Sequence, residues 1–309
     1  MAPKDKDAVD LTAETEQKKD AETKKNGSKG NNKSEDEGVV DTLSEEDKEL
    51  KERLETCVTT LINKDNEAAV TVPIRLKALD VIVTELRTAT SSMTSVPKPL
   101  KFLRPHFTVL TDLYNQIKKT DDSAMDNDSL ELRARLADVL AVLAMTMGKP
   151  EERESLKFKL AGGKDYDALE ARGAKSKHQE DNLGSWGHEF VRSLAGEIGQ
   201  EYSARVLDGA DPESDEPFAD LLQMVDIIVP FHVTHNAEAE AVDLLIEVQR
   251  LKNLLKLDSI DENNYQRICL YLIKTADYMS DPDDLAVSTR LDCPAIDLIW
   301  KHMPHFFLL

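Results

Sequence analysis

The chain has 309 residues, 40% hydrophobic and 32% charged, which suffices for a sizeable core in one or two domains. A net charge of −20 and a pI near 4.8 weigh against general nucleic-acid binding, where clustered Lys and Arg must meet phosphates, and against an anionic membrane surface as partner. Three widely spaced cysteines, Cys57, Cys269 and Cys293, argue for a reducing compartment and against a disulfide framework. No apolar run reaches the roughly 20 residues that span a bilayer, and the charged N-terminus lacks the apolar stretch of a secretory signal.

Residues 1–42 are Lys, Asp, Glu, Gly, Ser, Asn and Thr with almost no aromatics. Too little apolar surface is available to offset ordering entropy, so they are expected to be a disordered charged tail. Its pairs Lys18-Lys19 and Lys24-Lys25 are interleaved with acids and read as solvated tail rather than as an import signal. A first helix is expected from Thr42 to Ser44 onward, with Glu45, Glu46 and Asp47 in its first turn and Leu50, Leu54, Cys57, Val58, Leu61 and Ile62 at helical spacing. After a turn at Lys64-Asp65-Asn66, Pro73 opens a helix carrying Leu76, Leu79, Ile82 and Leu86, ending near Met93.

Residues 93–107, MTSVPKPLKFLRPHF, hold three prolines among apolar and basic side chains. Proline removes a donor and pushes its predecessor out of the helical region, so no new helix is expected before Pro105. Leu100, Phe102, Leu103 and Phe107 make the segment a docked crossover rather than a solvated linker. Phe107, Leu110, Leu113, Tyr114 and Ile117 form the next helix, and a polar loop runs from Thr120 to Asp128. Ser129 is expected to cap a long helix that is apolar nearly all round, with Leu132, Leu136, Val139, Leu140, Leu143 and Met147 on one side, so it should be central and buried. Gly148-Lys149-Pro150 stops it.

A short helix is expected over Glu151 to Leu160, followed by a Gly/Lys/Asp-rich loop to Asp181. Trp186 to Tyr202 reads as a helix in which Gly187, Ala195, Gly196 and Gly199 suggest close helix approach. Asp208 to Glu216 is an exposed acidic loop. Phe218 to Ile228 is helical, Pro230 interrupts it, and Asn236 caps the following helix; Tyr265 to Met279 is the last clear one. No segment alternates strictly, so the fold class is all-α: an irregular α-solenoid-like array of antiparallel helix pairs behind a disordered N-terminal tail.

Candidate chemistry is sparse. His232 and His235, spaced i, i+3, could bind zinc were more ligands to converge, but no third Cys or His lies nearby in sequence, and His188 beside Glu189 could be imagined as an acid/base pair. Residues before a helix more often satisfy its free donors, and neighbours on a helix point about 100° apart, so capping and packing roles are expected. Trp186 is read as an anchor at a helix start. Lys98, Lys101 and Arg104 with Phe102 and His106 form a basic–aromatic cluster, read as neutralising the chain's own acidic surface. Gly162-Gly163-Lys164 lacks the first glycine and the Ser/Thr of a phosphate loop. Nothing proposes an enzyme, and no catalytic, metal or cofactor residue is assigned.

Four landmarks together carry a family resemblance: TSSMTSVPKPLKFLRPHF (Thr90 to Phe107), LADVLAVLAMTM with ERESLKFKL (Leu136 to Leu160), GSWGHEFVRSLAGEIGQEY (Gly184 to Tyr202), and VPFHVTHNAEAEAVDLLIEV (Val229 to Val248) followed by NNYQRICLYL. In order and spacing, over Ser44 to Asp284, they resemble the N-terminal region of the 26S proteasome non-ATPase regulatory subunit 2 family. The resemblance implies a non-catalytic scaffold in cytoplasm and nucleus. Its partners would be the proteasome base ATPase subunits and other regulatory-particle subunits, in support of ubiquitin-dependent degradation. Ubiquitin and ubiquitin-like shuttle proteins are partners of the longer family members, whose repeats carry those surfaces and have no counterpart here. The expected layout is a tail over 1–42, a helical scaffold domain over 43–284 and a divergent tail over 285–309, ending LDCPAIDLIWKHMPHFFLL, as in a truncated form of the family.

Overall fold

The computed structural model describes residues 43–63, 71–90, 96–120, 125–174 and 183–276. All belong to the second of the two units into which the chain divides, Leu43–Leu309. Regular structure among the described residues is helical throughout. Helix α1 spans Glu45–Ile62, and its N-cap Ser44 accepts from the Asp47 amide at 3.2 Å. The acids of its first turn lie at the positive end of the helix dipole. Leu54, Cys57, Val58 and Leu61 face α2, Val72–Thr90, whose Leu79, Ile82 and Leu86 are fully buried.

The crossover is docked, as expected, with Leu100 and Leu103 fully buried against α1 and α2. The expectation of no helix before Pro105 is corrected: α3 occupies Lys98–Leu103. Pro99 stands in its first turn, where a missing backbone donor leaves nothing unpaired, so the proline starts this helix instead of preventing it. Pro105 sits in a 3-10 turn, Arg104–His106, that leads straight into α4, Phe107–Lys118.

Helix α5, Asn127–Met147, is the centre of the array. It packs against α2 and α4 and buries every residue from Leu132 to Ala144. Its cap is Asp126, which accepts from the Ser129 amide at 2.9 Å; a carboxylate one turn earlier takes the role expected of Ser129. Met147, expected inside, is exposed. Three charged residues of this buried helix reach partners on its neighbours. Arg135 pairs with Asp80 of α2; Arg133 and Asp138 pair with α6, Glu154–Ala171.

The expectation that helix stops at Leu160 and gives way to a loop is therefore corrected. Gly162 would lower helix propensity alone, but its missing side chain lets α6 lie on Ala134 and Ala137 of α5. Arg133 grips Asp165 through two hydrogen bonds of 2.9 and 2.6 Å, and Tyr166 donates to Asp138 at 2.8 Å. Tertiary ion pairs thus hold as helix a segment whose composition reads as loop.

Helix α7 runs His188–Leu207 after a 3-10 turn, Leu183–Trp186, so Trp186 precedes the helix rather than starting it. Helix α8, Ala219–Thr234, continues through Pro230, correcting the expected interruption. His232 and Val233 are buried beyond the proline and Val229 just before it, and that burial outweighs one lost backbone bond. Asn236 does not cap the next helix. It takes φ 61° after the end of α8, and the Ala237 amide donates back to the His232 carbonyl at 2.9 Å, a left-handed helix stop. Helix α9, Glu238–Glu247, and α10, Tyr265–Thr275, complete the array, with α9 packed on α7, α8 and α10. Of the residues whose spacing predicts an inward face on α10, Ile268, Cys269, Leu272 and Ala276 are buried, while Tyr271 is only partly so. Cys57 is a buried free thiol. Cys269 is disulfide-bonded, against the expectation, drawn from wide spacing, that the cysteines form no disulfide framework: spacing in sequence does not set spacing in the fold. The expectations for residues 1–42 and 285–309 lie outside the described residues.

Candidate functional site

The fold brings together the three histidines that the sequence keeps up to 47 positions apart. Gly187 adopts φ 90°, a conformation favouring glycine, and turns the chain into α7 so that His188 is its first residue. Phe231, His232 and His235 lie near the end of α8, where spacings of three and four share a face. The His188 ring is 5.1 Å from that of His235 and 6.5 Å from that of His232, with Phe231 at 5.0 Å. Phe231 and His235 stack at 4.1 Å.

The three imidazoles differ in environment. His235 is exposed and its Nδ1–H donates to the Phe231 carbonyl at 2.7 Å, a local capping bond. His188 is half-buried; desolvation, and then the neighbouring His235, holds its basicity below the usual range. His232 is fully buried, and neither ring nitrogen has a hydrogen-bond partner among the described residues. Burial pulls its pKa down to about 4, so it is neutral at pH 7.

This convergence lacks the parts of a catalytic pair. The nearby carboxylates are directed at Arg192: Glu240 at 2.7 Å and Glu189 at 3.5 Å. No described carboxylate bonds an imidazole, so no base is oriented, and the Thr234 hydroxyl, 3.1 Å from His235 Nδ1, is held by the Pro230 and Phe231 carbonyls of its own helix. No group of three or more His, Cys, Asp or Glu among the described residues is placed to hold a metal ion. A cleft of about 250 Å³ between α6 and α8 is lined by residues including Lys159, Tyr166, Asp220, Met224 and Ile227 and by none of the histidines.

The other sequence candidates resolve into packing. Trp186 is buried, lies 6.4 Å from the Phe190 ring and carries the Arg87 guanidinium 4.5 Å above it, tying α2 to α7. The basic cluster of the crossover is partly neutralised within the chain: Lys98 pairs with Asp47 at 2.7 Å, and Arg104 donates to Thr146 at 3.3 Å, while Lys101 is exposed. The Lys98 ammonium holds the Asp47 carboxyl below its usual range. Gly162-Gly163-Lys164 lies inside α6, in continuous helix rather than in a loop. Of the small residues of α7, Gly199 does face a close neighbour, Glu247, but Gly196 faces open space, against expectation. Sequence reasoning missed the long-range ion pairs, including Arg205 with Asp220 and Arg267 with Glu238. No spacing rule announces partners so far apart.

No described helix is long and apolar enough to cross a membrane. A family model described as the RPN1 N-terminal domain matches residues 54–293, beyond position 284 where the resemblance was expected to stop. Among similar proteins, the 26S proteasome non-ATPase regulatory subunit 2 of Dictyostelium discoideum is 43% identical over 247 residues, 80% of this chain and 23% of that protein. Homolog A of the same subunit in Arabidopsis thaliana is 43% identical over 243 residues, 79% of this chain and 23% of its own length. The 26S proteasome regulatory subunit rpn-1 of Neurospora crassa is 37% identical over 265 residues, covering 86% and 24%. The chain thus spans about a quarter of the length of these relatives.

Proposed function

The chain belongs to the RPN1 N-terminal domain family, and on that premise we propose that it is a non-catalytic helical scaffold module of the regulatory-particle base of the 26S proteasome. The observation that carries this reading is the 43% identity over 247 residues to a proteasome regulatory subunit. That length of similarity takes in the helices packed around α5, so what is shared is a framework that presents surfaces. The module acts through protein–protein contacts, with base ATPase subunits and other regulatory-particle subunits as partners, in cytoplasm and nucleus. Its role in ubiquitin-dependent degradation is structural support. The working boundaries are a tail over 1–42, a scaffold over 43–284 that the family match carries on to 293, and a separate segment after it. The acidic balance suits basic partner surfaces.

Affinity purification of tagged residues 1–309 from cells tests this reading. Recovery of base ATPases in stoichiometric amounts is the expected result. Recovery of unrelated partners without any proteasome subunit would favour an acidic helical adaptor outside the proteasome, and recovery of chaperones alone would remove the scaffold role from this chain.

A further inference from the structure

We infer that the His188–Phe231–His232–His235 cluster is an acid-sensitive latch: protonation of the buried His232 ring opens the junction of α7, α8 and α9 while the α5 core stays closed. The geometry is specific. His232 is fully buried, with no partner for either ring nitrogen among the described residues, beside two further imidazoles and a phenyl ring. A neutral imidazole tolerates that site at the cost of an unpaired donor and acceptor; an imidazolium has nothing there to receive its second proton.

The charged groups around it do not compensate. From α7 the site faces His188, Glu189 and Arg192; from α9 it faces Glu240; from its own helix it faces His235. Glu240 favours the charged ring, but that carboxylate is engaged by Arg192 at 2.7 Å, and both neighbouring histidines and Arg192 oppose it. The turn at Leu183–Trp186 that packs on α8 contributes no charge. The His232 carbonyl accepts from the Ala237 and His235 amides at 2.9 and 3.1 Å, so moving His232 loosens the stop that ends α8 and the entry to α9.

The sign follows from linkage. His232 titrates at about 4 when buried and near 6.5 when exposed, so the open state takes up the proton first and closure weakens as pH falls from 6.5 toward 4. Between pH 7.5 and 5.0 the opening equilibrium should rise about twenty- to thirty-fold.

Amide hydrogen exchange on the full 309-residue chain, corrected for intrinsic rates, tests the latch. Protection at His235, Ala237 and Val191 should fall by that factor at pH 5.0, with α5 amides such as Leu140 changing less than threefold, and His232→Phe should remove most of the difference, leaving only what the half-buried His188 contributes. A loss of protection that persists undiminished in His232→Phe, that spreads equally to α5, or that does not occur overturns the proposal. Should His232→Phe not fold, NMR titration of the wild-type imidazoles decides: a His232 midpoint well below 6 supports the latch, and an ordinary midpoint near 6.5 overturns it.

Discussion

Arg133 and Asp165 show how a single pair holds two helices. Both side chains are buried, and Arg133 of α5 donates two charge-assisted hydrogen bonds of 2.9 and 2.6 Å to Asp165 of α6. Removing such charges from water is costly, so the pair adds little stability over a well-packed apolar pair, but breaking it strands a buried guanidinium. Asp165→Ala should therefore lower stability by about 3–5 kcal/mol, whereas Arg133→Met with Asp165→Leu should recover most of that loss. Urea unfolding of the three proteins measures it. A single substitution costing as little as the double one would mean that the pair is not desolvated as its burial implies. His232 poses the converse problem, a polar ring left unpaired; replacing it by phenylalanine should leave stability at pH 7.5 unchanged or raised.

At the scale of elements, α6 separates what local sequence says from what packing decides. Gly162 and Gly163 are neighbours in one helix, yet a Cβ on Gly162 would meet the Ala134 carbonyl at 3.2 Å and the Ala137 Cβ at 3.3 Å, while one on Gly163 would meet nothing within 4 Å. Gly163→Ala should stabilise the protein by about 0.5–1 kcal/mol through helix propensity alone. Gly162→Ala should be net destabilising, because α6 must move off α5. Thermal unfolding of the two variants distinguishes the positions, and equal effects would contradict the close approach.

The same contrast explains what was legible in the sequence. The apolar stripes of α1, α2, α4 and α5, the docked crossover and the stop after Met147 follow from local period and local breakers, which the sequence displays directly. The extension of α6 past Leu160 and the passage of α8 through Pro230 depend on partners far along the chain, which local composition does not show, whereas α3 turns on a local signal, Pro99 in its first turn, that reads as a breaker or as a helix start. For the candidate site, the spacing of His232 and His235 and the Trp186 anchor were visible. That His188 joins them across 44 positions was not, because only the packing of α7 on α8 brings them together.

For the whole molecule, the balance between local ion pairing and net repulsion sets how the protein answers to salt. Several pairs on the surface, such as Lys48 with Glu45 and Lys149 with Glu152, are exposed and separated by one helical turn. Such exposed pairs contribute little and are weakened by salt. Against them stands a net charge of −20, and the first 42 residues hold eight lysines against eleven carboxylates, so most of the surplus falls in the remainder of the chain. Repulsion of that size acts over the whole surface, and salt at about 0.1 M screens charges more than about 10 Å apart while leaving the buried Arg133–Asp165 pair little affected. Repulsion should therefore win, and raising NaCl from low to physiological ionic strength should raise the thermal midpoint by about 2–4 °C for each kcal/mol of repulsion removed. A lower midpoint in salt would mean that surface pairing outweighs net charge. The same screening acts in the opposite sense on association with a basic partner. Salt should thus weaken capture of the proposed partners over the range in which it stabilises the isolated chain, and measuring both on one preparation separates the two electrostatic roles of this acidic surface.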